Sequence, residues 1–459
     1  ETFWKNFDLI LGEEASSTFS TPEDAKLDDE IEEVARAIPA LIVDTPEQDR
    51  WSRLELLTAL GWRDPFTMRF SHTFPVGEYV QKNDITESKL SNAIKTHTSG
   101  YLSLVGSPGT GKSTLLQTVF RDGPNTRIIR YLAFVPGNTQ GQGRGEAESF
   151  YEDINAGLAA TGIEPLRIKD RTLHGLQQIF ADLLSQAAQH YTNDGTRYII
   201  VVDGLDHIPR EERPSRSMLG VLPLPQSIPE GILFVLGTQR LDLDGLPPSV
   251  REEAAKPDRQ VAITPLSEEA VARVAVQFGL PNDIAPSQVY SVTDGHPLVT
   301  RYLIQRLISS DRQMRDDLLS GQYGFDGDLE DIYTAAWREI ENLLDSGKVK
   351  RVLALVGYAE GPIEPRLLAS ATSDEAVERT LAKVSHLLSI TDIGWTTFHN
   401  SFRLFIQTKP VDKFGMVDPD YSPDITYRRL SSLTREASEF SPQRWLEFRY
   451  LYKAEAYEE

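Results

Sequence analysis

The sequence predicts an α/β protein whose parallel sheet carries helices on both faces, followed by a largely helical C-terminal half. Four short apolar runs, at 101–105, 127–135, 198–202 and 231–240, have the composition of buried strands. Stretches with helical spacing of apolar residues lie between them, and from Ala262 onward helical patterns predominate. Strands that alternate with helices along a chain are typical of a parallel sheet.

Length and composition set further limits on the class of protein. A chain of 459 residues is long enough for ~3–4 domains, and 40% hydrophobic with 25% charged residues is typical of a globular protein. The absence of cysteine excludes disulfides and thiolate metal sites, and favours a cytoplasmic protein. No apolar run approaches ~18 residues, so we expect no membrane-spanning segment. The net charge of −21 argues against non-specific binding of nucleic acid.

Residues 106–113 read Gly-Ser-Pro-Gly-Thr-Gly-Lys-Ser and match the phosphate-loop pattern G-x-x-x-x-G-K-[ST]. An apolar run precedes the motif, and residues 114–120 follow it with helical spacing, so strand, loop and helix occur in the required order. Glycines let backbone N–H groups turn onto phosphate oxygens, and the helix N-terminus adds its positive end. The motif therefore predicts a site for a nucleoside triphosphate, with contacts from Gly106, Ser107, Pro108, Gly109, Thr110, Gly111, Lys112, Ser113 and Thr114.

Two residues of this motif have specific chemical roles. Lys112 is expected to reach the β- and γ-phosphates, and Ser113 is expected to hold Mg²⁺ through its hydroxyl. Upstream, the segment at 69–76 contains Phe74 and Pro75 among several aromatic residues. It could supply an apolar face for the adenine, or it could be a strand edge that packs on the core, and the sequence does not decide between them.

The second strong motif is the apolar run at 198–202 that ends in Asp203 and Asp206. A carboxylate at the end of a buried parallel strand meets the nucleotide, so Asp203 is predicted to complete the Mg²⁺ site begun by Ser113. Asp206, three residues further on, is the candidate for polarising the attacking water. The predicted metal ligands are thus Ser113 and Asp203.

Two further segments follow strands. The run at 231–240 ends in Arg240, which is predicted to detect the γ-phosphate because its charge is fixed and forked, although an ordinary surface arginine is the alternative. The loop at 136–145 is rich in glycine. Arg144 and the adjacent Glu146 could contact nucleotide or a neighbouring subunit there, but a solvated loop is the favoured interpretation.

The organisation of the chain is predicted as five regions. Residues 1–68 form a helical linker region, with amphipathic helices expected at 28–42 and 46–60, and the chain begins at Glu1 without features of a leader peptide. The other regions are a nucleotide domain, a helical domain, a winged-helix domain, and a linker with the start of C-terminal helical repeats, at 69–262, 263–327, 328–409 and 410–459. We expect an internal piece of a longer protein.

Within these regions, Ser267 is predicted to cap a helix, and Gly295-His-Pro-Leu298 separates two helical stretches. Short apolar pieces at 352–356 and 387–390, followed by an aromatic stretch at 395–406, suggest helices and a small hairpin.

The order of these motifs resembles the STAND class of P-loop NTPases, of the NACHT or NB-ARC kind found in NOD-like receptors. The resemblance rests on the phosphate loop, the strand ending Asp-Gly-Leu-Asp, the strand ending Gly-Thr-Gln-Arg, the helical Gly-His-Pro-Leu, and Phe398-His-Asn-Ser-Phe402. It covers roughly residues 70–410 and is closer to the bacterial antiviral branch than to the animal or plant receptors. The last two motifs carry its specificity.

The resemblance implies roles that spacing alone does not show. Pro297 would pack on the adenine, and His399 would contact the β-phosphate of bound ADP and hold a closed, inactive state. Without the resemblance, a lone histidine in an apolar stretch is more often a core or surface residue. The chain departs from the common Asp-Glu ending of the second motif, because Asp206 is followed by His207. This departure puts the hydrolysis rate in doubt.

The predicted function is an ATP/ADP-dependent switch with slow hydrolysis. A protein ligand sensed by C-terminal repeats would open the closed ADP state, and the ATP form would assemble into a homo-oligomer, a tetramer or higher, that activates an upstream effector such as a nuclease. The alternative is an AAA-type motor or loader that acts on nucleic acid or protein, which predicts rapid turnover. A metabolic kinase is a weaker alternative, because nearly half the chain lies beyond the last core strand.

Overall fold

The computed structural model describes most of the chain from residue 80 to residue 409 and several shorter stretches. The described residues are 66, 68–74, 76, 80–135, 143–166, 172–210, 216–321, 325, 329–391, 393–409, 421–437, 444 and 446–455. Several sequence predictions therefore lie outside them, namely the helices at 28–42 and 46–60, Pro75, the loop residues 136–142 and the linker residues 410–420.

A five-stranded parallel sheet lies in the region predicted as the nucleotide domain. Its strands are β1 (Gly100–Val105), β2 (Thr126–Leu132), β3 (Arg197–Asp203), β4 (Ile232–Thr238) and β5 (Gln260–Ala262). Their spatial order is β2-β3-β4-β1-β5, and every neighbouring pair is parallel. The predicted parallel α/β sheet is confirmed, and all four predicted strand segments contain a strand. Because the strands are parallel, their carboxyl ends meet at one edge.

Helices connect and follow these strands. The first are α1 (Asp84–Thr96), α2 (Lys112–Val119), α3 (Ala147–Ala159), α4 (Leu173–Asp194) and α5 (Pro248–Ala254). Beyond the sheet lie α6 (Glu268–Gln277), α7 (Pro286–Thr293), α8 (Pro297–Ser309), α9 (Arg312–Leu319), α10 (Leu329–Glu341), α11 (Ser346–Tyr358), α12 (Pro365–Ala371), α13 (Asp374–Val384), α14 (Asn400–Thr408), α15 (Pro423–Glu436) and α16 (Glu447–Lys453). No helix in the described ranges is long and apolar enough to cross a membrane.

The chain divides into two compact units. The smaller one contains Arg69–Ser71 among its described residues, α3, and α4 as far as Ala187. Within it, the Asn155 amide donates to the carbonyl of Leu176 at 3.0 Å, and the rings of Tyr151 and Phe180 meet edge to face. These contacts hold α3 against α4.

The larger unit contains the sheet and the whole C-terminal half. One face of the sheet is apolar at alternate positions, as expected for strands with a period of two. These buried side chains pack against α1 and α2, and include Leu102, Leu104, Ile199, Val201, Leu233 and Val235. On the opposite face, the Ser103 hydroxyl donates to the carbonyl of Ala254 at the end of α5, at 2.6 Å.

A second, larger core joins the helices beyond the sheet. It extends from Leu266 to Tyr450 and includes aromatic contacts such as Tyr333 with Phe402, at 5.0 Å between ring centroids. Ser267 caps α6 by accepting from the Ala270 N–H, as predicted. The piece at 352–356, predicted as a separate apolar segment, lies within α11.

The predicted hairpin is present in this part of the chain. It consists of β6 (Leu388–Thr391) and β7 (Gly394–Thr397), and the piece at 387–390 falls mainly on β6. An isolated bridge from Ile363 to Trp395 adds a third short extended segment beside β7.

A buried ion cluster connects Glu360, two residues after the end of α11, to helix α16. The Glu360 carboxylate is fully buried and lies 2.5 Å from Arg449 Nε and 2.6 Å from Lys453 Nζ. The Glu360 N–H donates to the Tyr450 hydroxyl at 3.0 Å. Charges removed from water in this way depend on their partners.

We expect Glu360→Gln to lower the free energy of unfolding by ~3–5 kcal/mol, because it leaves two buried cations without their carboxylate. Calorimetry would detect this as a lower Tm. Glu364→Gln is the control, since its partner Arg366 has a side chain that is 60% exposed and the pair contributes at most ~1 kcal/mol. Equal shifts for the two variants would contradict the importance of the buried cluster.

The stability of the fold should also depend on pH through His386. Burial, and then the charge of Arg306, lower the pKa of His386 to about 3. The side chain of His386 binds a proton near pH ~6.5 in the unfolded chain. The free energy of unfolding is therefore at its full value above that pH, and it falls by ~1.4 kcal/mol per pH unit as the pH decreases from there toward 3.

We therefore expect His386→Gln to flatten the decline of Tm between pH 7.5 and pH 5. His174→Gln, at an exposed position, should leave the decline unchanged. An unaltered pH profile for His386→Gln would contradict a neutral, buried His386.

Candidate nucleotide-binding site

The phosphate loop runs from the end of β1 to the start of α2. Gly109 and Gly111 have φ angles of +75° and +90°, which only glycine adopts readily, and Gly111 precedes the first residue of α2. The Thr110 hydroxyl donates to the carbonyl of Ser107 at 2.8 Å and closes the loop. No side chain caps α2, so its first N–H groups face the loop as an anion site requires.

Lys112 lies at the centre of this site. Its ammonium donates to the carbonyls of Gly106 and Ser107, at 2.7 and 3.0 Å. Burial lowers its pKa, while the charges of Asp206 and Asp203 oppose the shift. The lysine thus lies between the loop and both predicted carboxylates, where it could neutralise the phosphates.

Asp203 and Ser113 are neighbours, as predicted for a metal site. Asp203 is almost fully buried at the end of β3, and burial raises its pKa, whereas the hydrogen bond from the Ser113 hydroxyl and the charge of Lys112 lower it. Mg²⁺ in nucleotide sites takes one or two protein oxygens and completes its shell with phosphates and water. This pair of hard oxygen donors fits such an ion.

The neighbouring strand makes room for this carboxylate through a glycine. A Cβ atom on Gly237 would lie 2.2 Å from Asp203 Oδ1 and 2.6 Å from Leu116 Cδ1. Gly237 pairs directly with Asp203 across the sheet. The position of the carboxylate that is predicted to bind the metal therefore depends on the absence of a side chain at 237.

Asp206 lies just beyond β3, on a 3₁₀ helix at Leu205–Arg210. Its carboxylate accepts two hydrogen bonds from Gln239, from the backbone N–H at 3.3 Å and from the side-chain amide at 2.5 Å. Sequence reasoning missed Gln239, although its place between the end of β4 and Arg240 was a signal for it. Gln239 orients the carboxylate predicted to polarise water.

Arg240 is not brought to this cluster. Its side chain is 70% exposed, and its Nε lies 3.6 Å from Asp242 Oδ1. A contact with the γ-phosphate would require the side chain to turn inward, so that role stays a prediction.

The start of α8 lies directly against the phosphate loop. His296 Nε2 is 3.1 Å from the carbonyl of Pro108, and His296 Nδ1 accepts from the Val299 N–H at 3.4 Å. The ring is therefore neutral with its proton on Nε2, in agreement with a pKa that burial lowers. A Cβ on Gly109 would lie 2.6 Å from Leu298 Cδ2.

The motif Gly-His-Pro-Leu was found from the sequence, but the role of His296 was missed. Pro297, the predicted adenine contact, is half-buried at the first position of α8. The structure therefore brings it beside the loop, while its contact with adenine stays a prediction.

His399 precedes α14, and its Nδ1 accepts from the Ser401 N–H at 3.2 Å. Burial lowers its pKa to about 4, with further lowering by the charges of His207, Lys112 and His296. The ring is therefore neutral near pH 7 and lies within electrostatic range of the phosphate loop. Its contact with ADP stays a prediction.

Asn400, the next residue, contacts the second motif. Its Nδ2 lies 3.2 Å from His207 Nδ1, and the His207 ring stacks on Phe134 at 4.2 Å between centroids. His207 Nε2 lies 3.6 Å from Asp206 Oδ2. Sequence reasoning noted His207 only as a departure and missed Asn400.

The segment upstream of the loop contacts the sheet edge. His72 is buried, and its Nδ1 accepts from the Leu132 N–H of edge strand β2 at 2.9 Å. The Phe74 N–H donates to the Gln117 side chain on α2 at 3.3 Å. These contacts agree with the alternative in which the segment packs on the core at the sheet edge. A contact between Phe74 and adenine stays a prediction.

The sequence favoured a solvated loop around Arg144, but the structure places this side chain in the interior. It is buried, and its guanidinium donates to the carbonyl of Leu132 at 3.3 Å, while its own carbonyl accepts from the Tyr131 hydroxyl. The backbone of Glu146 bridges to Ser217. These bonds anchor the end of the loop to β2, because a buried guanidinium needs such partners.

We expect Gly237→Ala to displace Asp203 and to lower Mg²⁺-dependent ATP binding at least about tenfold, since overpacking at a buried carboxylate costs ~1–3 kcal/mol. Titration with ATP in the presence and absence of Mg²⁺ would measure it. The control is Gly347→Ala, because a Cβ there has no atom within 4 Å. Equal affinities for both variants would contradict the dependence of the site on Gly237.

The five-stranded sheet with its flanking helices fits an α/β P-loop NTPase. No protein-family model matches the sequence, and no curated protein matches it. Among solved structures, the chain is similar to a Signal Transduction ATPase with Numerous Domains (STAND) protein with a tetratricopeptide repeat sensor from Pyrococcus horikoshii, with 15% identity and a TM-score of 0.43. That match covers 84% of this chain and 50% of the other, so this chain spans half the length of that protein.

Two further solved structures are similar at the same level. The Walker-type ATPase of Pyrococcus abyssi has 14% identity and a TM-score of 0.36, over 75% of this chain and 99% of its own. Cdc6p from Pyrobaculum aerophilum has 14% identity and a TM-score of 0.33, over 85% and 97% of the two chains. Values this low support no statement about activity, ligand or partner.

Proposed function

We propose that this chain is the nucleotide-binding core of an ATP/ADP-dependent switch of the STAND type. The observation that carries the proposal is the contact of two distant segments with the phosphate site. His296 bonds to Pro108 of the loop, and Asn400 bonds to His207 beside Asp206. A P-loop enzyme that only transfers phosphate needs the loop, the metal ligands and an acceptor site, but not these two contacts.

The proposed resting state is closed and holds ADP. Lys112 would bind the phosphates, Ser113 and Asp203 would hold Mg²⁺, and Pro297 would pack on the adenine. His399 would donate a hydrogen bond from Nε2 to the β-phosphate, since its Nδ1 is already occupied by the Ser401 N–H. ADP would thereby tie the helical domain and the segment around α14 to the phosphate loop.

The segment from α11 to β7 supports a winged-helix unit. Three helices precede a hairpin, and the bridge between Ile363 and Trp395 adds a third short strand to it. The antiparallel packing expected of α15 and α16 would begin a helical repeat array, as in a sensor. Within the proposal, these elements are the moving part.

Activation would follow from a difference in affinity between two states. A protein ligand bound by C-terminal repeats would favour the open state, and a preference of ~5.5 kcal/mol is enough to reverse a 99:1 population. ATP would then replace ADP, with Arg240 turned inward onto the γ-phosphate. The open form would assemble into a homo-oligomer, a tetramer or higher, and bring upstream effector domains together. We place this switch in bacterial antiviral defence and propose that it is of the NACHT or NB-ARC kind.

The first experiment is to identify the nucleotide that the purified chain carries, by denaturation and ion-exchange chromatography of the extract. We expect near-stoichiometric ADP, and we expect His399→Ala to lose most of it during gel filtration. Loss of one hydrogen bond to a charged group should weaken ADP binding about tenfold. His174→Gln, far from the loop in sequence and exposed, is the matched histidine control.

The same experiment tests the alternative. An empty site together with rapid, substrate-stimulated ATP turnover would favour the AAA-type motor or loader and contradict the switch. Retention of ADP by His399→Ala at the level of the unaltered chain would remove the proposed role of that residue.

A further inference from the structure

The two ring nitrogens of His207 face two different segments, the start of α14 and the 3₁₀ helix that carries Asp206. Nδ1 lies 3.2 Å from Asn400 Nδ2 at the start of α14, and Nε2 lies 3.6 Å from Asp206 Oδ2. The stacked ring of Phe134, with an interplanar angle of 16°, fixes the plane in which both nitrogens lie. A small rotation of the imidazole would therefore change both distances together.

The chemistry of the asparagine amide determines which nitrogen carries the proton. An NH₂ group only donates, so His207 Nδ1 accepts from Asn400 and the ring carries its proton on Nε2, toward the carboxylate of Asp206.

The Asp206 carboxylate is thus surrounded by donors. Gln239 occupies Oδ1 through its N–H and Oδ2 through its side-chain amide, and His207 Nε2 faces Oδ2 as well. A water that attacks the γ-phosphate needs one of these oxygens as its acceptor. As long as Asn400 holds the His207 ring in place, the carboxylate is less accessible to such a water.

We propose that His207 is a positioning residue through which Asn400 on α14 restrains Asp206 and slows hydrolysis in the closed state. The proposal rests on the proposed switch and names a second output of the same closure. His399 would govern how long ADP is retained, whereas Asn400 and His207 govern how fast bound ATP is hydrolysed. Movement of α14 would release the ring from Asn400 and let it leave the carboxylate.

The test is a double-mutant cycle on the full chain with Asn400→Leu and His207→Phe. Leucine keeps the branching of the asparagine side chain at Cγ without the donor, and phenylalanine keeps the stacking on Phe134 without the nitrogens. Single-turnover hydrolysis of pre-bound ATP is measured for all four proteins, and ADP affinity is measured separately. Asn342→Leu, at an exposed position, is the matched control and should change neither quantity.

We expect each single variant to raise the single-turnover rate by about two- to tenfold, the range that corresponds to one hydrogen bond, with little change in ADP affinity. The double variant should be no faster than either single one, because the residues act in series. Should Asn400→Leu fail to fold, His207→Phe still carries the test, since it must raise the rate by the same factor.

Other outcomes overturn the proposal. Additive effects would show that Asn400 and His207 act separately, and unchanged or lower rates in the single variants would show that neither restrains Asp206. A change in ADP affinity alone would assign the pair to nucleotide retention. Failure of the switch itself is distinguishable, because it appears as absent ADP in the unaltered chain, whereas this proposal fails through the rates.

Discussion

The parallel register of β1, β3 and β4 is the constraint on which the nucleotide site depends. Asp203 pairs with Gly237, and Val105 pairs with Thr238, so three strands end at nearly the same level. The phosphate loop leaves this edge from β1, and the two acidic residues leave it from β3. A shift of one strand by one residue would turn Asp203 to the opposite face and separate it from Ser113.

Much of the fold follows from local patterns in the sequence. The continuous apolar runs predict the central strands, because a strand buried on both faces has no polar side to show. The phosphate loop is equally local, since strand, glycines, lysine and helix are adjacent in the chain. Asp203 could be placed beside Ser113 because parallel strands deliver their carboxyl ends to one edge.

The missed residues share a different property. Gln239 and Asp206 are separated by 33 positions, and Asn400 and His207 by 193. Such pairs depend on how whole helices pack, and no periodicity or spacing encodes that. The burial of Arg144 was missed for another reason: its partner Leu132 is only 12 positions away, but the glycine content of the loop predicted exposure to solvent.

The buried cluster around Glu360 has a consequence for how this chain can change over evolutionary time. One fully buried carboxylate in the segment after α11 faces Arg449 and Lys453 on α16. Loss of the carboxylate would leave two like charges side by side without a counter-ion, and loss of both cations would leave the buried carboxylate unpaired. Substitution at one end alone is therefore selected against, while matched changes at both ends are tolerated. Homologous sequences should therefore show covariation between position 360 and positions 449 and 453. Such covariation would show that the segment after α11 also contacts α16 in homologous proteins whose structures are unknown.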